Sequence, residues 1–164
     1  MAKCYQLIGV PGSGKSTWIK NQPWAKDCVI VSTDNFVDAY AKEVGSTYSE
    51  VFESYMPTAV KLMADQVVRA RNEGKDIIWD QTSVNVKSRR RKFNMLPNYE
   101  HIAVVFETPT MHVLMKRLAS RPGKNIPWSV MQSMIHSMEL PTLSEGFAEI
   151  RTVVQPVDTN YHLC

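Results

Sequence analysis

Residues 9–17 read Gly9-Val10-Pro11-Gly12-Ser13-Gly14-Lys15-Ser16-Thr17. The apolar run Tyr5–Val10 predicts a strand, and Lys15–Asn21 predicts a helix that must stop before Pro23. The stretch is therefore G-x-x-x-x-G-K-S at a strand-to-helix turn, with one internal glycine more than the pattern needs. Glycines let successive amides turn inward around a phosphate, and a helix N-terminus behind them adds partial positive charge. Gly12, Ser13, Gly14 and Thr17 belong to that cradle. Lys15 reaches the β- and γ-phosphates of a nucleotide, and the Ser16 hydroxyl is a ligand for Mg²⁺. A glycine-rich turn with an incidental surface lysine needs no such strand and helix around it, so nucleotide phosphate binding is the expectation.

Outward from the loop, short apolar runs alternate with amphipathic stretches. Further strands are predicted over Cys28–Ser32, buried on both faces, then Asp76–Trp79, His101–Phe106 and Ile150–Val154. Asp34 is a candidate cap for a helix to about Val44, with Gly45 past its end. Thr47-x-x-Glu50 is a capping box for the next helix, which Pro57 should break or restart. Beyond Pro57, Val60, Met63, Ala64, Val67 and Val68 form one apolar face, and Gly74 ends the helix. Val86–Met95 is a basic helix. Thr108-Pro109 reads as a cap with proline at the first helical position, opening a helix to about Ser120, and another helix begins after Pro127. The expected fold is α/β in three layers: a parallel sheet of about four to five strands with helices on both faces.

The 164 residues are 44% hydrophobic, enough for a single domain over 1–164 with a core that needs no disulfide or metal. Nineteen basic against 16 acidic residues leave +3, which excludes a highly charged tail, and 21% charged residues exclude wholesale disorder. Cys4, Cys28 and Cys164 are odd in number and widely spaced, which fits a reducing compartment. His101, His112, His136 and His162 share no ligand spacing with them, so no structural metal is expected. No run approaches the ~18 apolar residues of a membrane span, and the N-terminus lacks a signal-peptide core. The expectation is a cytoplasmic protein with no membrane partner.

A phosphate loop alone does not define the reaction that nucleotide binding serves. N-K-x-D and D-x-x-G patterns of a switch GTPase are absent, and a motor needs a larger chain. A small kinase needs a carboxylate to activate the acceptor and a mobile arginine. Asp34, beyond the second strand in Ser32-Thr33-Asp34, is placed either as that general base or as a plain helix cap. Asp80, ending the third strand, is either a Mg²⁺-holding carboxylate or a turn residue. Arg117 and Arg121, before Pro122-Gly123-Lys124, either stabilise a helix C-terminus or belong to a helical lid over ATP, about residues 109–127. Lys87, Arg89, Arg90, Arg91 and Lys92 are either a solvated face or phosphate contacts. Met131, Met134, Ile135 and Met138 read as packing.

GVPGSGKSTW over Gly9–Trp18, Ser32-Thr33-Asp34, Asp80-Gln81-Thr82 with Arg89 after it, and Lys116-Arg117 through Arg121 to Ile126-Pro127 stand in one order. Over roughly residues 1–140 the chain resembles the 5′-hydroxyl polynucleotide kinase family, as in the kinase domain of the bacteriophage T4 enzyme. The resemblance implies a P-loop kinase fold and transfer of the ATP γ-phosphate, with Mg²⁺, to the 5′-hydroxyl end of DNA or RNA. It casts Asp34 as base, Lys15 and Ser16 as phosphate and metal contacts, and Arg121 as the lid arginine. It also implies Asp80, Thr82, Arg89 and Ile126 on the substrate side, and allows host cytoplasm if the source is viral. Where the family often has an arginine three residues after the aspartate, this chain has Val37. A D-x-D-G-T phosphatase motif is absent, so 3′-phosphatase activity is not expected. The competing readings are a small-molecule kinase and a non-catalytic nucleotide sensor. A long basic acceptor groove would favour nucleic acid, and a closed apolar one a metabolite.

Overall fold

The computed structural model describes residues 1–156, so Cys164 and His162 lie outside the described residues. Five strands, β1 (Lys3–Ile8), β2 (Val29–Val31), β3 (Ile77–Trp79), β4 (Glu100–Phe106) and β5 (Glu149–Val153), pair in parallel in the order β2-β3-β1-β4-β5. Among the described residues the helices are α1 (Lys15–Lys20), α2 (Thr33–Val44), α3 (Tyr48–Asn72), α4 (Val86–Met95), α5 (Met111–Ala119) and α6 (Trp128–His136).

The alternation of side chains along β1 explains why both faces of the sheet are covered. Tyr5 and Leu7 pack with Ile78, Ile102, Val104 and Phe106 under Trp18 and Ile19 of α1. Cys4 points the other way, joining Ile77 and Trp79 against Met63, Val67 and Ala70 of α3. Ile8 faces Ala103, Val105 and Phe147, with Phe93 of α4 beside them. Met131, Met134, Ile135 and Met138 pack on Val10 and Leu114, as their spacing predicts. Cys4 and Cys28 are free thiols.

Several boundaries depart from expectation for identifiable reasons. β1 ends at Ile8 rather than Val10 because the Gly9 amide leaves the ladder and donates to Thr82 O, 2.9 Å away. β2 is the edge strand, so Val29 and Ile30 are only half-buried instead of covered on both faces. Ser32 is the N-cap of α2, which leaves Asp34 inside the first turn and not at the cap. Pro57 does not break α3: the Thr47–Glu50 capping box holds its start, and Val51 and Ala59 are buried on either side of the proline. The buried stripe runs Ala59, Met63, Val67, Ala70, and Val60 is 47% exposed. α5 is capped by Thr110 instead of Thr108, with Leu114 N donating to Thr110 O at 2.9 Å. Leu114, fully buried against Val10, sets that register.

Candidate active site

The chain leaves β1 to build β2 and β3 on one side of it, then crosses to β4 on the other, so a crevice opens beyond the carboxyl end of β1. The loops at that edge are bonded to one another. Besides Gly9 to Thr82, the Asp80 amide donates to Val31 O at 2.8 Å, and Gln81 Nε2 donates to Thr33 Oγ1 at 3.2 Å. Trp79 Nε1 holds Gln81 Oε1 at 3.0 Å.

The loop after β1 needs its glycines. A Cβ on Gly9 would stand 2.6 Å from Ser13 Oγ and 2.9 Å from Phe106 Cβ, so any side chain there displaces the turn. Gly14, at φ 101°, is the N-cap of α1 and offers no side-chain cap, and the first turn carries no acidic residue. The helix therefore presents amide donors and partial positive charge to whatever enters the crevice. Lys15 Nζ folds back onto Gly9 O (2.7 Å) and Val10 O (3.1 Å). Burial lowers its pKa to about 8, against the opposing pull of Asp80 and Asp34, with Arg121 adding to the depression. Burial likewise raises the Asp80 carboxyl, opposed by Lys15.

A cavity of about 690 Å³ runs along this loop. The predicted residues Gly12, Ser13, Gly14, Lys15, Ser16, Thr17, Asp34, Asp80, Thr82, Arg117 and Arg121 all line it. A second cavity of about 410 Å³ shares Asp34, Asp80, Thr82, Arg121 and Lys124 with the first and continues between Tyr48, Phe52, Met56, Ile126, Pro127 and Val130. Ile126 thus belongs to the second cavity only. Arg89 reaches neither. It is fully buried, with Nε and Nη2 on the Glu145 carboxylate and Nη1 on Ser83 O, so the structure corrects its expected place among substrate contacts. The basic run is split: Arg89 and Lys92 point inward while Lys87, Arg90 and Arg91 are exposed. Lys92 lies over the Trp79 ring, 5.3 Å from its centroid. Val37 is wholly buried in the α2–α3 seam, so that position faces the core and not the crevice.

Three contributors escape sequence reading. Tyr48 Oη donates to Asp34 Oδ1 at 2.6 Å. Lys124 pairs with Asp38 at 2.9 Å and lies 4.5 Å from the Tyr48 ring centroid. Gln155 joins Arg117, whose Nη1 also donates to Gly12 O at 2.9 Å, and its own Nε2 donates to Ser13 O at 2.9 Å. Tyr48 and Gln155 fit no pattern or periodicity; only Lys124 falls inside the Arg121-Pro122-Gly123-Lys124 run.

The donor set suits a nucleotide: uncapped helix amides, Lys15, Arg117 and Arg121 all offer positive charge to an anion. Ser16 and Asp80 offer the hard oxygens that Mg²⁺ takes. Among the described residues no group of three or more His, Cys, Asp and Glu side chains is placed to hold a metal ion. No helix of the described residues is long and apolar enough to cross a membrane.

Residues 6–141 match the family model described as AAA domain. The Arabidopsis thaliana protein named Transcription factor bHLH140 is 27% identical over 168 aligned positions, which cover 94% of this chain and 16% of that protein. The chain thus spans about a sixth, 16%, of the length of the curated relative it matches. A candidate kinase from Chloroflexus aurantiacus superimposes with a TM-score of 0.69 at 18% identity, covering 99% of this chain and 92% of that one. A sugar kinase from Janibacter sp. HTCC2649 gives 0.60 at 18%, covering 95% and 88%. A chain of the Pnkp1/Rnl/Hen1 complex gives 0.54 at 21%, covering 77% and 45%. At these identities the likeness is one of fold, and the fold is that of P-loop kinases.

Proposed function

The chain belongs to the AAA domain family and has a P-loop kinase fold; from that premise we propose that it is an ATP-dependent phosphotransferase acting on the 5′-hydroxyl end of DNA or RNA. The observation that carries this reading is the position of Asp34 on the wall common to both cavities, one walled by the phosphate loop and the other by aromatic and aliphatic side chains.

In the proposed reaction the first cavity holds ATP and the second the acceptor. Asp34 takes the proton of the acceptor hydroxyl while that oxygen bonds to the γ-phosphorus; the bond from phosphorus to the bridging oxygen breaks, and ADP leaves with the electron pair. Lys15 and Arg121 neutralise charge spread over the transferring group. Mg²⁺, where bound, supplies further charge neutralisation between the phosphates, and Ser16 and Asp80 are the residues to hold it. Arg117 steadies the loop and the nucleotide, and residues 109–127 serve as the lid. Thr82 and Ile126 line the acceptor side, where Tyr48 and Phe52 present aromatic surface suited to a nucleobase.

A small-molecule acceptor is the second reading, favoured by one specific observation. The second cavity presents mostly apolar surface, and Val37 leaves no arginine at the position where the resembled family holds a substrate phosphate. The deciding experiment is transfer of labelled γ-phosphate to single-stranded DNA and RNA 5′-hydroxyl oligonucleotides, with a panel of small hydroxyl acceptors beside them. Label on the oligonucleotide supports the first reading, label only on a small acceptor the second. ATP binding with transfer to none leaves a nucleotide sensor.

A further inference from the structure

We infer that Tyr48 is a positioning residue for the base Asp34, acting through its hydroxyl; the inference rests on the kinase reading above. Tyr48 is the first residue of α3, directly after the cap Thr47, whose side chain and Glu50 bond reciprocally to each other's amides. That box sets the backbone of the first turn, and the ring is held in turn by Phe52, 5.4 Å between centroids, and by the Lys124 ammonium over its face. Lys124 is itself tied to Asp38, one helical turn beyond Asp34 on α2. The phenol is thus delivered to Asp34 Oδ1 by two helices and a loop, at 2.6 Å.

This contact sets the orientation of the carboxylate. Oδ1 accepts from the phenol, and the lone pairs that remain on the carboxylate are held in a fixed direction to receive the acceptor proton. It also restrains rotation of the carboxylate, and misplacing a reacting group by about 1 Å can cost ~100-fold in rate. Burial, with the bond to Asp34, raises the phenol pKa far above its ordinary value, so Tyr48 remains a donor wherever Asp34 is a carboxylate.

The test compares Tyr48→Phe, which keeps the ring and its packing, with Tyr48→Leu, which loses both, in γ-phosphate transfer from ATP and Mg²⁺. The acceptor is whichever of the oligonucleotides or small hydroxyl compounds the wild-type protein phosphorylates. The expected result is a kcat lowered ~10-fold or more in Tyr48→Phe, nearly as far as in Tyr48→Leu, with KM for ATP and the melting temperature of Tyr48→Phe close to wild type. A Tyr48→Phe protein as active as wild type, with only Tyr48→Leu impaired, overturns the inference and assigns the ring to packing while leaving the kinase reading intact. Wild-type protein that transfers phosphate to no acceptor overturns the kinase reading, and this inference with it.

Discussion

The guanidinium of Arg89 meets the carboxylate of Glu145 in two parallel bonds, Nε to Oε1 at 2.9 Å and Nη2 to Oε2 at 3.2 Å, while Nη1 holds the carbonyl of Ser83. Ser83 is the non-glycine residue with a left-handed backbone among those described, at φ 46°, and it directly follows Thr82 in the loop that carries Asp80 and Thr82 to the crevice. A buried ion pair from outside the site thereby braces a strained turn inside it.

Breaking that pair leaves a guanidinium that is wholly buried without its counter-charge. Glu145→Gln should lower unfolding free energy by ~3 kcal/mol in chemical denaturation. Burial pushes the Glu145 carboxyl up, but its bonds to Arg89 and the Thr142 amide outweigh this and hold it below the usual glutamate range. A depressed carboxylate pKa means the pair's contribution is present above the ordinary glutamate range and lost as pH falls through the lowered value. The stability gap between wild type and Glu145→Gln should therefore narrow in acid; a gap that is constant with pH counts against the ion pair as its source.

Lys15 titrates near pH 8 because burial disfavours its charge. Polyphosphate beside it favours the ammonium, so nucleotide binding should take up a proton around pH 8, and affinity should decline as pH rises through that value. Calorimetry in buffers of different ionisation enthalpy reads the uptake directly. Binding with no linked proton would contradict the role given to Lys15.

If Asp34 is the base of the proposed reaction, Asp34→Asn should abolish transfer while ATP affinity stays near wild type. Lys15→Ala and Arg121→Ala, which remove cations lining the first cavity, should each cost at least ~100-fold in kcat under the proposed mechanism. Steady-state kinetics with titration of ATP binding separates the two patterns, and intact turnover in Asp34→Asn would remove it from the mechanism.

Pro57 is exposed inside α3 and withholds the amide that would bond one turn back. Pro57→Ala restores that bond, at the cost of a more flexible unfolded chain, and should raise stability by roughly 1 kcal/mol. Thermal denaturation checks it; a lowered melting temperature would mean the proline supplies packing that the helix needs.

Much of the fold was readable from periodicity, and the helix Val86–Met95 matches expectation residue for residue. The errors fall where a distant contact overrules a local preference. Leu114 docked on Val10 moves the start of α5 past Thr108-Pro109, and burial of Val51 and Ala59 carries α3 through Pro57. Charge alone marked 87–92 as one basic run, yet a helix turns neighbouring residues about 100° apart. Arg89 and Lys92, three apart, share the inward face, whereas Lys87, Arg90 and Arg91 face water.

By itself the sequence determined the phosphate loop, because its nine residues are contiguous and their chemistry is local: glycines that can turn, an amine, a hydroxyl, and a helix start behind them. Tertiary structure alone decided what stands opposite that loop. Parallel pairing of Val31 with Trp79 brings the ends of two strands, and with them Asp34 and Asp80, to one edge. The box at Thr47 aims Tyr48 at Asp34 from another helix, and Arg89 is drawn away to Glu145. Such partners lie tens of residues apart in the chain, and only the burial of the sheet's two faces, which no short window of sequence encodes, selects which of them meet.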